Sequence, residues 1–122
     1  MRLLNAGLFL LMILFMAVQY NDPDGPLWML IYSIPAVWTG IAMFKGHLLR
    51  IRPAQIGLLL CGLGAVAGMV YYWPSTPGWW RQEVWWEVET AREGMGMMVV
   101  AIVLAVVWFS RPVAHQPEQA AR

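Results

Sequence analysis

Four long apolar runs constrain this chain more than any other feature. They are Leu3–Tyr20, Leu27–Phe44, Ala54–Trp73 and Met95–Ser110, and none contains Asp, Glu, Lys or Arg. A hydrocarbon core of ~30 Å takes about 20 helical residues, and backbone groups in lipid must be bonded within their own segment. Helices therefore suit these runs, while the alternation of a membrane β-strand is absent. The fourth run is short, so its helix is expected to begin upstream, near Ala91 or earlier. The expected fold is all-α and integral to the membrane: an antiparallel four-helix transmembrane bundle. One membrane domain is expected over residues 1–110, with spans at about 3–20, 27–44, 54–73 and 91–110.

Composition agrees. The chain is 60% hydrophobic and 12% charged, with a mean hydropathy of +0.56. A soluble domain carries roughly 25% charged residues, so the soluble-enzyme and disordered classes drop out. A net charge of +1 without a basic run gives nucleic-acid binding no support. The single cysteine, Cys61, excludes an intrachain disulfide, a CxxC redox pair and a cysteine-based zinc site. The first run is too long for an ordinary signal core and no A-x-A site follows, so it reads as a retained anchor.

Basic residues orient the spans. Arg2, Lys45, Arg50, Arg52, Arg111 and Arg122 fall on one side; Arg81 and Arg92 fall on the other. Both termini are therefore expected in the cytoplasm, of a plasma or bacterial inner membrane. Asp22, Asp24, Glu83, Glu87, Glu89 and Glu93 lie outside, with only Glu118 inside. Trp28, Trp73, Trp79, Trp80, Trp85 and Trp86 fall at the outer boundary, where an indole buries its ring and hydrates its N–H. Trp38 is the exception, in mid-span.

The links carry turn chemistry. Asp22-Pro23-Asp24-Gly25 fits a type I turn, and Pro26 suits the first turn of the next helix. Pro53 can open the third helix, and Pro74–Gly78 breaks it. Trp79–Gly94 has no breaker and reads as one interfacial helix, running on into the fourth span. The tail over residues 111–122, with Pro112 and Pro117, is expected to be disordered.

Four groups of residues are candidates for function. Gln19, Asn21, Asp22 and Asp24 form either a solvated turn or an acidic site at the outer mouth of the bundle. Glu87, Glu89, Arg92 and Glu93 precede the fourth span. Glu89 and Glu93 share a helix face at i,i+4, and Arg92 is placed to pair with Glu89. Arg92 is expected to reach Asp22 or Asp24 and clasp the first hairpin to the fourth helix; plain interfacial snorkelling is the alternative. Trp28, Tyr32, Pro35 and Thr39 follow 4,3,4 spacing and line either a helix contact or a ligand cavity. Gly57, Cys61, Gly64 and Gly68 form a small-residue face for close helix approach, within the bundle or between subunits. A thiol deep in lipid stays protonated, which argues against a reactive Cys61.

No cofactor is expected. His47 and His115 fall on the side opposite the outer acids, so a His-carboxylate metal site would have to reach across the bilayer. A hard cation such as Ca²⁺ on the outer acids stays open. No GxSxG, HExxH or P-loop pattern is present.

Gln19-Tyr20-Asn21-Asp22-Pro23-Asp24, then Trp28, Tyr32, Pro35 and Ala36, resemble the transmembrane protein 220 family. That family carries a Q-x-N-D-P-D turn followed by a W-x-x-x-Y-x-x-P-A helix. Arg92-Glu93 is similar to its acidic R-E element, and the resemblance covers about Leu3 to Phe109. It implies a multi-span helical membrane protein and no reaction. The leading functional reading is a non-enzymatic structural, accessory or interaction role. Its partners would be the lipid bilayer and another membrane protein or a second copy. The alternative is binding or transport of a small molecule or cation at the outer mouth. Coupled transport is weakened because no span interior holds a carboxylate.

Overall fold

The computed structural model describes residues 2–20 and 23–111, and all regular structure among them is helical. Asn21, Asp22, most of the tail and part of the expected Asp22–Gly25 turn lie outside the described residues. Helix α1 covers Arg2–Ala17, α2 Gly25–Phe44, α3 Arg52–Tyr71, α4 Gln82–Glu87 and α5 Glu89–Phe109. A 3₁₀ turn over Gly46–Arg50 joins α2 to α3.

Helices α2, α3 and α5 are long and apolar enough to cross a membrane. Helix α1 has 16 residues, or about 24 Å at 1.5 Å per residue. Its apolar run continues to Tyr20 as a tightened turn, with Gln19 N–H bonded to the Met16 carbonyl at 3.2 Å and Tyr20 N–H to Ala17 at 3.4 Å. Such i→i+3 bonds commonly finish a helix whose last carbonyls lack partners.

Pro26 occupies the first turn of α2, where its missing N–H costs nothing. Pro35 sits inside α2 without ending it. One turn later the Thr39 hydroxyl donates to the Pro35 and Ala36 carbonyls at 2.8 and 3.0 Å, keeping a fully buried hydroxyl satisfied. Beyond α3 the Pro74–Gly78 segment is non-helical, and Gly78 takes φ +68°, a conformation glycine adopts without penalty.

The single helix expected over Trp79–Gly94 is not what forms. Helix α4 starts only at Gln82, and the chain breaks at Val88, which is extended at φ −102° and ψ 112°. Helix α5 then starts afresh at Glu89 and supplies the full length that the short fourth run lacked.

Helix α5 is the centre of the packing. It touches α1, α2, α3 and α4. Its buried positions include Ala91, Gly94, Met97, Val100, Val103, Leu104 and Val107, spaced to serve two faces at once. Helices α1 and α2 form an antiparallel hairpin: Phe9 meets Gly40, and Phe15 stands edge-on to Tyr32 with centroids 5.2 Å apart. Helix α3 rests chiefly on α5, with Met97 over Gly68. Leu10, Leu14, Leu30, Val37, Leu60, Leu63, Val70 and Ile102 point outward. So much exposed apolar surface suits lipid as the surrounding solvent.

The small-residue face of α3 is only partly used as expected. A Cβ on Gly57 would touch the Trp38 ring at 3.5 Å, and one on Gly68 would press on the Met97 methyl. Gly64, by contrast, has nothing within 4 Å. The face that packs runs through Leu58, Cys61, Ala65 and Gly68. Its phase is set by the larger buried side chains, Leu58 above all, rather than by the glycines.

At the end holding Lys45, Arg50 and Arg111 (the basic end), Asn5 of α1 donates its amide to Ser110 Oγ at 3.1 Å. Arg111 lies over the Trp108 ring at 3.7 Å from its centroid. The acids gather at the opposite, acidic end.

Candidate site at the acidic end

Three elements build the acidic end. The turn before α2 carries Asp24, the first turn of α2 carries Trp28, and the first turns of α5 carry Glu89, Arg92 and Glu93. Because Glu89 and Glu93 are one helical turn apart, they present their carboxylates on one face. That face meets Asp24. The three carboxylates offer oxygens that all lie within 4.8 Å of one another. With Gln19, Trp28, Tyr32 and Arg92 they line a cleft of about 60 Å³.

Trp28 holds this arrangement. Its indole N–H is shared between Asp24 Oδ2 at 3.2 Å and Glu93 Oε2 at 3.1 Å. The ring is buried and packs edge-on against Tyr72 with centroids 5.3 Å apart. An indole N–H is a donor only, so aiming it between two carboxylates offsets part of their repulsion. The link between the hairpin and α5 therefore runs through Trp28. The sequence pattern puts this residue on a stripe that lines either a helix contact or a ligand cavity, and does not pair its N–H with the acids.

Arg92 does not make the expected clasp. Its Nη1 donates to the Trp85 and Trp86 carbonyls at 3.1 and 2.8 Å. Among the described residues the one ion pair is Arg81–Glu83, so Arg92 pairs with neither Asp24 nor Glu89. The break at Val88 gives the reason. It leaves the last carbonyls of α4 without intrahelical partners, and a guanidinium at a helix C-terminus both bonds them and complements the local dipole. Asp22, the other expected partner, lies outside the described residues.

The Trp28–Tyr32–Pro35–Thr39 stripe divides in two. Pro35 and Thr39 are buried in the helix contact, whereas Trp28 and Tyr32 line the cleft. Tyr32 is only 5% exposed, yet its hydroxyl has no hydrogen-bond partner among the described residues. The ring is buried while the hydroxyl oxygen opens on the cleft. Gly96 of α5 makes room for it, since a Cβ there would collide with the Tyr32 hydroxyl. Gly94 likewise admits the chain after α3, because a Cβ there would lie 2.5 Å from both the Tyr72 carbonyl oxygen and Pro74 Cδ. The Gly94-Met95-Gly96 pattern in an apolar run was a legible signal for close approach.

Below the cleft an apolar groove of about 340 Å³ opens, lined mainly by Phe15, Val18, Met95 and Val99. Gln19, Tyr32 and Arg92 line both spaces. Carboxylates with a hydroxyl suit a hard or protonated cation; among the described residues no His or Cys joins them to suit a soft metal.

Residues 11–109 match the family described as "Transmembrane family 220, helix". The chain is similar to Transmembrane protein 220 of Xenopus laevis, with 36% identity over 64 residues. That alignment covers 48% of this chain and 35% of the relative, so the chain spans about a third of the curated protein it matches. No solved structure matches.

Proposed function

The chain belongs to transmembrane family 220, and we propose that it is a non-enzymatic, multi-pass membrane protein that binds a small cation at its acidic end. The observation that carries this reading is the convergence of Asp24, Glu89 and Glu93 on a cleft lined by the unpartnered hydroxyl of buried Tyr32. One shared indole N–H is too little charge compensation for three carboxylates crowded together. An entering cation supplies the rest. The site combines Gln19, Asp24, Glu89 and Glu93 with Trp28 and Tyr32.

The test is direct. Ca²⁺ and ethanolammonium are titrated separately into detergent-purified protein while thermal unfolding is followed. A ligand at about 100 times its Kd stabilises by ~2.7 kcal/mol. A saturable rise in Tm with at least one cation, lost in Glu89→Gln/Glu93→Gln, is expected. No saturable rise with either would sink the reading.

Four crossings are proposed, with α1 and its following turn as the first and both termini cytoplasmic. This rests on the six-to-two distribution of basic residues. It puts the acidic cleft on the outer face. Reporter fusions at Arg122 and within Ser75–Gly78 check it, and an outward-facing C-terminus would reverse the map.

A further inference from the structure

The acidic cleft and the apolar groove share three residues, and their order along the helices is informative. On α5, Glu89, Arg92 and Glu93 lie nearest the acidic end, while Met95 and Val99 lie deeper. On α1 and the turn that follows it, Gln19 is nearest the end, with Val18 and then Phe15 deeper. The polar cleft therefore continues into the groove along the direction a lipid chain takes from headgroup to bilayer centre. We propose that the cation bound here is the ammonium of a lipid whose headgroup joins a primary ammonium to a phosphate. The ammonium sits among Asp24, Glu89 and Glu93, the phosphate meets Arg92, and one acyl chain lies in the groove. This rests on the cation-binding reading above and names its ligand class.

Three observations select that class. A primary ammonium has three N–H donors, and the cleft offers three carboxylates within 4.8 Å of one another, with the Tyr32 hydroxyl beside them. A quaternary ammonium has no N–H to give them and is bulkier, against a cleft of about 60 Å³. Arg92 lines both spaces, which opposes a bare metal ion but suits a ligand carrying a negative group next to its positive one. Only Nη1 of Arg92 is engaged, by the Trp85 and Trp86 carbonyls, so Nε and Nη2 keep their N–H groups for a phosphate. The groove gives the chain an apolar bed between Phe15, Val18, Met95 and Val99.

The full chain, purified in detergent and stripped of lipid, is offered dioleoyl phosphatidylethanolamine, dioleoyl phosphatidylcholine or chain-free glycerophosphoethanolamine. Binding is read by native mass spectrometry and by Tm. Phosphatidylethanolamine should bind at least about tenfold tighter than either of the others, a gap of one decade in Kd. Val99→Trp, which fills the groove but not the cleft, should weaken the lipid by about tenfold and leave the ethanolammonium shift intact. Equal binding of the ethanolamine and choline lipids overturns the proposal. So does glycerophosphoethanolamine binding as tightly as the intact lipid, and this comparison stands even where Val99→Trp fails to fold. In either case a retained Ca²⁺ or ethanolammonium shift leaves the cation reading standing. Loss of every cation shift in the wild-type chain removes both.

Discussion

The two ends of the helix set perform the same structural task with opposite chemistry. At the basic end Asn5 of α1 meets Ser110 just past α5, a contact between two neutral side chains at 3.1 Å. At the acidic end Trp28 of α2 meets Glu93 of α5, but the same N–H also serves Asp24, and Glu89 stands close by. Both contacts fasten the α1–α2 hairpin to α5. The neutral pair joins one amide donor to one hydroxyl acceptor and carries no net charge. The anionic one gathers three carboxylates around a single shared N–H, with the Tyr32 side chain lining the same cleft. Fastening alone does not require that excess of negative charge, which is why the proposed ligand is placed at the acidic end.

The largest effect that sharpens this contrast comes from the close approach at the acidic end. Gly94→Ala places a Cβ 2.5 Å from the Tyr72 carbonyl oxygen, which is backbone and cannot swing aside. A loss of about 2–3 kcal/mol is expected, as for overpacking in a dense core. Gly64→Ala, with nothing within 4 Å, is the control and should be neutral or slightly stabilising. Reversible unfolding in detergent measures both, and equal effects would break the contrast.

Next comes Trp28→Phe, which keeps an aromatic ring against Tyr72 but removes the shared N–H. Stability should fall by about 2 kcal/mol, the cost of leaving charged acceptors without their donor. Added salt should recover some of that loss by screening the freed carboxylates. Arg92→Gln should cost about 1 kcal/mol, since it removes hydrogen bonds from an exposed side chain to two carbonyls. A loss of roughly 3–5 kcal/mol would instead mark a buried charge left unpaired, restoring the clasp to Asp22. The smallest change belongs to the basic end. Asn5→Leu should cost about 0.6 kcal/mol, typical of a polar contact between membrane helices. Its cost should not vary with salt, and salt dependence there would erase the distinction between the ends.

Much of this was legible in the residues, and the failures have physical causes. Three full-length helices followed from apolar run lengths, and the turns at Pro26, Pro53 and Pro74–Gly78 from backbone chemistry. The gathering of Gln19, Asp24, Glu89 and Glu93 followed from helix spacing and a short link. The role of Arg92 did not, because it depends on the break at Val88. Val88 is only weakly unfavourable to helix, and no Pro or Gly announces a break there. Once the break forms, free carbonyls outcompete the carboxylates for the guanidinium. Gly64 misled because small residues mark close approach only when larger neighbours such as Leu58 and Ala65 turn the same face inward. A lone Asn in the first apolar run was a readable hint of Asn5–Ser110, but its partner, beyond α5, was not.

The central position of α5 has a consequence for biogenesis. Of the three long helices it has the largest buried share, 39% of its most apolar window against 28% for α2 and 11% for α3. It also follows the other four helices along the chain. During synthesis the α1–α2 hairpin can close as soon as it leaves the ribosome. Helix α3 then waits in the bilayer without its main neighbour until α5 is inserted. Assembly is thus gated by the last of these helices to arrive, and the nascent intermediate exposes Leu58, Ala65 and Gly68 to whatever insertion factor or neighbouring chain is at hand. A chain released just before Glu89 would stay in that open state, without Glu89 and Glu93, two of the three acids that face the cleft.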